Sequence, residues 1–290
     1  MSMRPDPFSI PPGSARASYS VELLYEAAPL LHARTLLASI MERCPDVQRP
    51  GPDSGPLRFF HTAHRVVFPE GTLPVQTFVA AGQLDAAALA PSVKQTWKWR
   101  KAREVVQRCK ASVVITDMLA DKLDPRLRLG LFQRVLDGVL DAAPCVAIHW
   151  APSQQLVDPD VFREAMARGE YTNPLHGALN VRLFQIAGYG AAPVPGGTGD
   201  SLMDTMGLSA YGMPDLQCHF HSLEHEEVAR VLYNVGYEAF QMGNRLSSGD
   251  TVPGIGNAPW RCRLETALQP PEREVMDLDP GAPFAAGNRT

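Results

Sequence analysis

Polar and apolar positions alternate over Tyr19–Tyr25 (YSVELLY), which predicts a strand. Leu36, Leu37, Ile40 and Met41 follow at helical spacing, so a helix is expected over 33–44, stopped by Pro45. Residues 49–56 read as a loop. Leu57–Phe68 and Val75–Ala81 read as strands joined through Pro69-Glu70-Gly71, a turn signal. The chain thus opens β-α-β-β.

The stretch 84–110 reads as helical and broken near Pro91, and Ala111–Met118 (ASVVITDM) as a buried strand. Asp124-Pro125 opens a helix reaching Ala142, with Leu129, Phe132, Val135, Leu136 and Leu140 on one side. Cys145–Trp150 is a strand, Ser153 begins a polar turn, and 159–168 is a short helix. After a linker over 169–179, strands are expected at 180–187, 216–222, 260–268 and 274–278, with a helix at 224–242, and the stretch 201–225 reads as strand, tight turn, strand and helix start. The glycine- and proline-rich stretch 188–199 reads as a loop without a P-loop signature. Strands mixed with helices predict an α+β fold. Its expected form is an antiparallel or mixed sheet with helices packed on one face and ferredoxin-like elements. Two tandem α/β lobes are expected, 19–168 and 180–280, between a disordered tail at 1–18 and a frayed one at 281–290.

Composition narrows the class. The 290 residues are 45% hydrophobic and 20% charged, with a net charge of −4, which is ordinary for a globular protein. No basic stripe stands out, which argues against nucleic acid as a partner. No apolar run approaches the roughly 20 residues of a membrane helix. The first residues lack the apolar core of a secretory signal. Five scattered cysteines suggest reduced thiols in a cytoplasm.

The densest chemistry lies at 201–225, SLMDTMGLSAYGMPDLQCHFHSLEH. On a strand, His219 and His221 share a face with Gln217 while Cys218 and Phe220 take the other. Two histidines at i and i+2, with Asp204 and with His225 from the helix start, offer a divalent-metal site that would activate water for hydrolysis. Against this, the spacing fits no zinc signature firmly, and the favoured reading has the histidines as polar residues on a half-exposed face, with His225 in the first turn of the helix. Cys218 and His219 point to opposite faces, so the cysteine is expected to pack inside. Ser222 and the acids after it suit a helix cap. Asp204-Thr205 before Gly207 suits a turn. Trp97 and Trp99 are read as one core ring and one boundary ring. His149-Trp150, ending a buried strand, hints at a cleft near Ser153 and Gln154. Arg261, Arg263, Arg273 and Glu265 read as exposed ion pairs.

Several long strings resemble one family. They are SLMDTMGLSAYGMPDLQCHFHSLEHEEVARVLYN, SGDTVPGIGNAPWRCRLETAL and PPEREVMDLDPG, with QTWKWRKAREVVQRCKASVVITDML, RLGLFQRVLDGVL and WAPSQQLVDP upstream. The chain resembles DUF4261, a bacterial domain of unknown function, from about residue 20 to its C-terminus. The resemblance implies a bacterial intracellular protein and carries no catalytic residue with it. The expected function is therefore a cytoplasmic, non-enzymatic protein-binding module of the toxin-neutralising or competition-associated kind, without a cofactor. The alternative is a metal-dependent hydrolase around Asp204, His219 and His221.

Overall fold

The computed structural model describes residues 18–51, 57–69, 71–167, 174–186, 200–243 and 246–287. The chain divides into two units, Met1–His176 and Gly177–Thr290. The first runs β1 (Ser20–Tyr25), α1 (Ala33–Met41), β2 (Val47–Gln48), β3 (Leu57–Phe68), β4 (Gly71–Gly82), α2 (Ala90–Gln95), α3 (Ala102–Arg108), β5 (Ala111–Met118), α4 (Pro125–Ala142), β6 (Ala147–Trp150), β7 (Gln155–Val157) and α5 (Pro159–Ala167).

Its sheet has the order β2-β3-β4-β5-β1-β6-β7 and is antiparallel throughout. The first strand therefore sits inside the sheet, between β5 and β6, which is why it carries apolar side chains on both faces. Val21, Leu23 and Leu24 are all fully buried. One face meets α4: Phe132 packs edge-on to Tyr19 at 5.0 Å, and Arg128 pairs with Asp117 at 2.6 Å. The other face, through Leu24, Ala147 and Leu156, packs with Leu89, Ala102 and Val106 of the α2–α3 region. Helices thus lie on both faces of this sheet, not on one as expected, because its central strands are apolar all round.

Pro91 does not break a helix. It falls in the first turn of α2, where its missing N–H costs nothing. The break comes later, at 96–101, and Trp97 and Trp99 lie in that turn: Trp97 is 42% exposed and Trp99 packs on the core. β7 occupies part of the expected polar turn.

The second unit runs β8 (Asn180–Gln185), β9 (Ser201–Met206), β10 (Asp215–Phe220), α6 (His225–Met242), β11 (Thr251–Pro253), β12 (Pro259–Thr266) and β13 (Glu274–Asp279). The sheet order is β11-β12-β13-β10-β9-β8, with β10 and β13 parallel and the other pairs antiparallel. The two mostly antiparallel sheets and six helices among the described residues make an α+β protein. α6 packs on one face of the second sheet. A Cβ on Gly236 would lie 3.1 Å from Leu179 and 3.7 Å from Leu216, so glycine lets the helix approach closely.

The residues before the end are not frayed. Phe220 bridges Ala285, His221 N–H donates to the Phe284 carbonyl at 3.0 Å, and Ala286 N–H donates to the His219 carbonyl at 3.2 Å. Of the expected tail at 1–18 all but residue 18, the loop at 188–199 and residues 169–173 of the linker lie outside the described residues. Among the described residues no helix is long and apolar enough to cross a membrane.

Candidate functional site

Strand pairing lines up one residue from each of five strands of the second sheet. Arg182 opposes Asp204, Asp204 opposes Gln217, Gln217 opposes Asp277, and Asp277 opposes Arg263. Directly opposed residues share a face. Leu216 and Phe220, which meet α6, alternate with Gln217, so this polar row lies on the face away from the helix. Arg182, Asp204, Gln217 and Asp277 are nonetheless buried. The hairpin turn between β12 and β13 folds over them: the Pro270 carbonyl accepts from Arg182 at 3.0 Å, and Leu268 N–H donates to Gln217 at 3.2 Å.

Asp204 is gripped from two sides. Arg182 donates Nε to Oδ1 at 2.8 Å and Nη2 to Oδ2 at 2.5 Å, a bidentate pair. Arg273 adds Nη2 to Oδ2 at 2.9 Å. The rest of the Arg273 guanidinium is also engaged: Nε meets Asp215 at 3.3 Å, Nη1 the carbonyls of Gln269 and Pro271, and Nη2 the carbonyl of Thr205. Asp215 accepts from Leu208 N–H at 3.0 Å and from the Thr205 hydroxyl at 3.3 Å. Burial pushes the Asp215 carboxyl up, while the Arg273 guanidinium and the Leu208 N–H pull against that shift.

This geometry corrects several expectations. Asp204 and Thr205 lie inside β9, not in a turn, and Asp204 is bound by two cations where a metal ligand should face an ion. Arg273 belongs to a buried network and not to an exposed pair. The four residues of the hypothetical metal site do not converge. His219 is 6% exposed, on the face of the polar row, with Nε2 at 3.6 Å from Asp200. His225 lies on the helix face, its ring against Phe220 and its Nε2 at 3.0 Å from the Ser201 hydroxyl. His221 stands past the end of β10, its Nδ1 at 3.2 Å from the Ser222 hydroxyl. Among the described residues no group of three His, Cys, Asp or Glu side chains could hold a metal ion.

Ser222 is not the helix cap either: it sits at φ 58°, and Glu224 takes the cap position without a side-chain bond. Cys218 is buried as expected. Reading by parity missed Arg182 and Asp277. The signal was there: a charge in the middle of each apolar strand, NVRLFQ and EVMDLD.

Beside the network opens a cleft of about 560 Å³. Met213, Met276, Leu246 and Leu264 line it, with Ser209, Glu274 and Arg273. Among the described residues the cation lining it is Arg273, whose donors are already committed. Leu264 is 45% exposed there.

No curated protein and no solved structure matches the chain. Residues 204–279 match the family model DUF4261, a domain of unknown function. The match begins at Asp204 and spans Asp215, Gln217, α6 and Arg273, whereas the upstream strings noted in the sequence lie outside it. The C-terminal part of this chain is thus similar to DUF4261 over these residues, and the similarity supplies no activity.

Proposed function

We propose that the chain is a protein-binding module of the bacterial cytoplasm whose partner is gripped by the cleft of the C-terminal unit. The cleft carries the reading. Its volume suits an inserted side-chain cluster, and Leu264, 45% exposed, offers an apolar contact on its wall. The Arg273 guanidinium beside it is committed to Asp204 and Asp215. A reducing compartment fits the five cysteines, all of which are free thiols. Shape and apolar contact do the work in this reading, and the buried ion network holds the walls in register.

The test is capture of a partner by the immobilised full-length chain from an extract of its native cell, compared with Leu264→Asp. A specific protein partner should be retained by the wild type and lost on placing a charge in the cleft. Equal retention by the variant, or no specific partner at all, refutes the assignment.

A further inference from the structure

The N-terminal unit holds a second constellation, which goes beyond the binding reading and is independent of it. Glu22 on β1 and His149 on β6 are directly opposed across the sheet. The glutamate Oε2 lies 3.6 Å from His149 Nδ1. On the far side of the ring, His149 Nε2 lies 3.0 Å from the hydroxyl of Ser92, which α2 carries onto this face. Acid, imidazole and hydroxyl therefore form one line, with the two ring nitrogens facing different partners.

The electrostatics agree. Burial alone would push the Glu22 carboxyl up, but contacts with His149 and Ser112 outweigh it and hold the group below its ordinary range. An ionised Glu22 favours the tautomer with the proton on Nδ1, so Nε2 presents its lone pair to the Ser92 hydroxyl. The 3.6 Å contact is longer than a hydrogen bond, as such contacts often are before substrate arrives.

The geometry points to a Ser92–His149–Glu22 centre for acyl transfer, in which Ser92 is the nucleophile, His149 the general base and Glu22 the residue that orients it. Ser92 Oγ attacks the carbonyl carbon of an ester, and its proton passes to His149 Nε2. The tetrahedral adduct collapses, the C–O bond to the alcohol breaks, and Nε2 returns the proton to that leaving oxygen. Water then attacks the acyl-serine, giving its proton to Nε2, and Ser92 takes it back as the carboxylic acid departs. The balance is ester plus water to acid plus alcohol, with no further reagent. Ser92 is 2% exposed, while the His149 and Glu22 side chains are 12% and 19% exposed. Solvent thus meets the centre at the imidazole and the carboxylate. A hydroxyl so covered excludes bulky acyl groups, so the substrate class of this proposal is short-chain esters.

The experiment treats the full-length chain with a fluorophosphonate and with p-nitrophenyl acetate, then maps the adduct by peptide mass spectrometry. The expected result is one phosphonylated residue, Ser92, and acetate release. Ser92→Ala should abolish both at an unchanged thermal midpoint, and His149→Ala should slow release by at least about 100-fold. Glu22→Gln should lower kcat by at least about tenfold with little change in KM. An adduct on another residue, or an unlabelled and inactive wild type, overturns the assignment. Because both readouts are taken on the wild type first, a variant that fails to fold does not protect the claim.

Discussion

Replacing Asp204 by Asn keeps the shape of the side chain and removes its charge. The Asp204 side chain is 1% exposed and that of Arg182 4%, so solvent cannot take over. Arg273, at 10%, is little better placed. Two guanidiniums would then face a neutral amide in the interior. Leaving a buried charge uncompensated costs about 3–5 kcal/mol. With a urea dependence of roughly 2 kcal/mol per molar, the unfolding midpoint should fall by about 1.5–2.5 M. The exposed pair Arg263–Glu265 is the internal control: its side chains are 58% and 34% exposed, and Glu265→Gln should cost about 0–1 kcal/mol. Urea titration followed by tryptophan fluorescence reads both. Trp260 reports on the C-terminal unit, and hydrogen exchange assigns the loss to β8–β10. The double variant Asp204→Asn/Arg182→Met removes one stranded cation and should recover about 1–3 kcal/mol of the single variant's loss. If Asp204→Asn stays within about 1 kcal/mol of wild type, the network does not hold this sheet together.

Three further outcomes are expected. His61 is fully buried, and burial lowers its pKa from 6.5 to about 4. The unfolded chain therefore takes up the proton first as pH falls, and stability should drop by about 3 kcal/mol between pH 6.5 and 4, then level off. In His61→Gln that slope should flatten in urea titrations across the window; an unchanged slope would place its origin elsewhere. A Cβ on Gly254 would sit 2.1 Å from Nε1 of the buried Trp260, so Gly254→Ala should cost about 1–3 kcal/mol and shift the Trp260 emission, and a neutral result would show that the ring can move. Burial raises the Cys145 thiol to about 12 and that of Cys262 to about 11, so an aromatic disulfide reagent at pH 8 should react slowly with both until urea unfolds the chain; prompt reaction with the native chain contradicts the raised values.

Strand and helix positions were legible because short-range patterning carries them. The β1, β5 and α4 segments show their periods openly, and Asp124 caps α4 through Arg126 and Leu127 N–H as its sequence suggests. Short edge strands such as β2 and β11 were not legible, since two or three residues show no period. The role of Asp204 was hidden for another reason. Its partners lie 22 residues upstream and 69 downstream, and nothing near Asp204 itself distinguishes an acid in a turn from one between two arginines. Arg273 looked superficial because its neighbours Glu272 and Glu274 are charged, while only the fold turns its guanidinium inward. The Glu22–His149–Ser92 alignment depends on sheet register and on α2, and sequence offered no more than His149 at the end of a strand.

The pinned residues 284–286 carry a practical consequence. Gly287 runs so near His219 that a Cβ there would stand 2.7 Å from Nδ1, so no side chain fits at that step. Truncations that clip back toward Asp279 would remove these backbone contacts and open the seam beside β10. C-terminal deletions are therefore damage to the end of β10 and not the trimming of a loose tail.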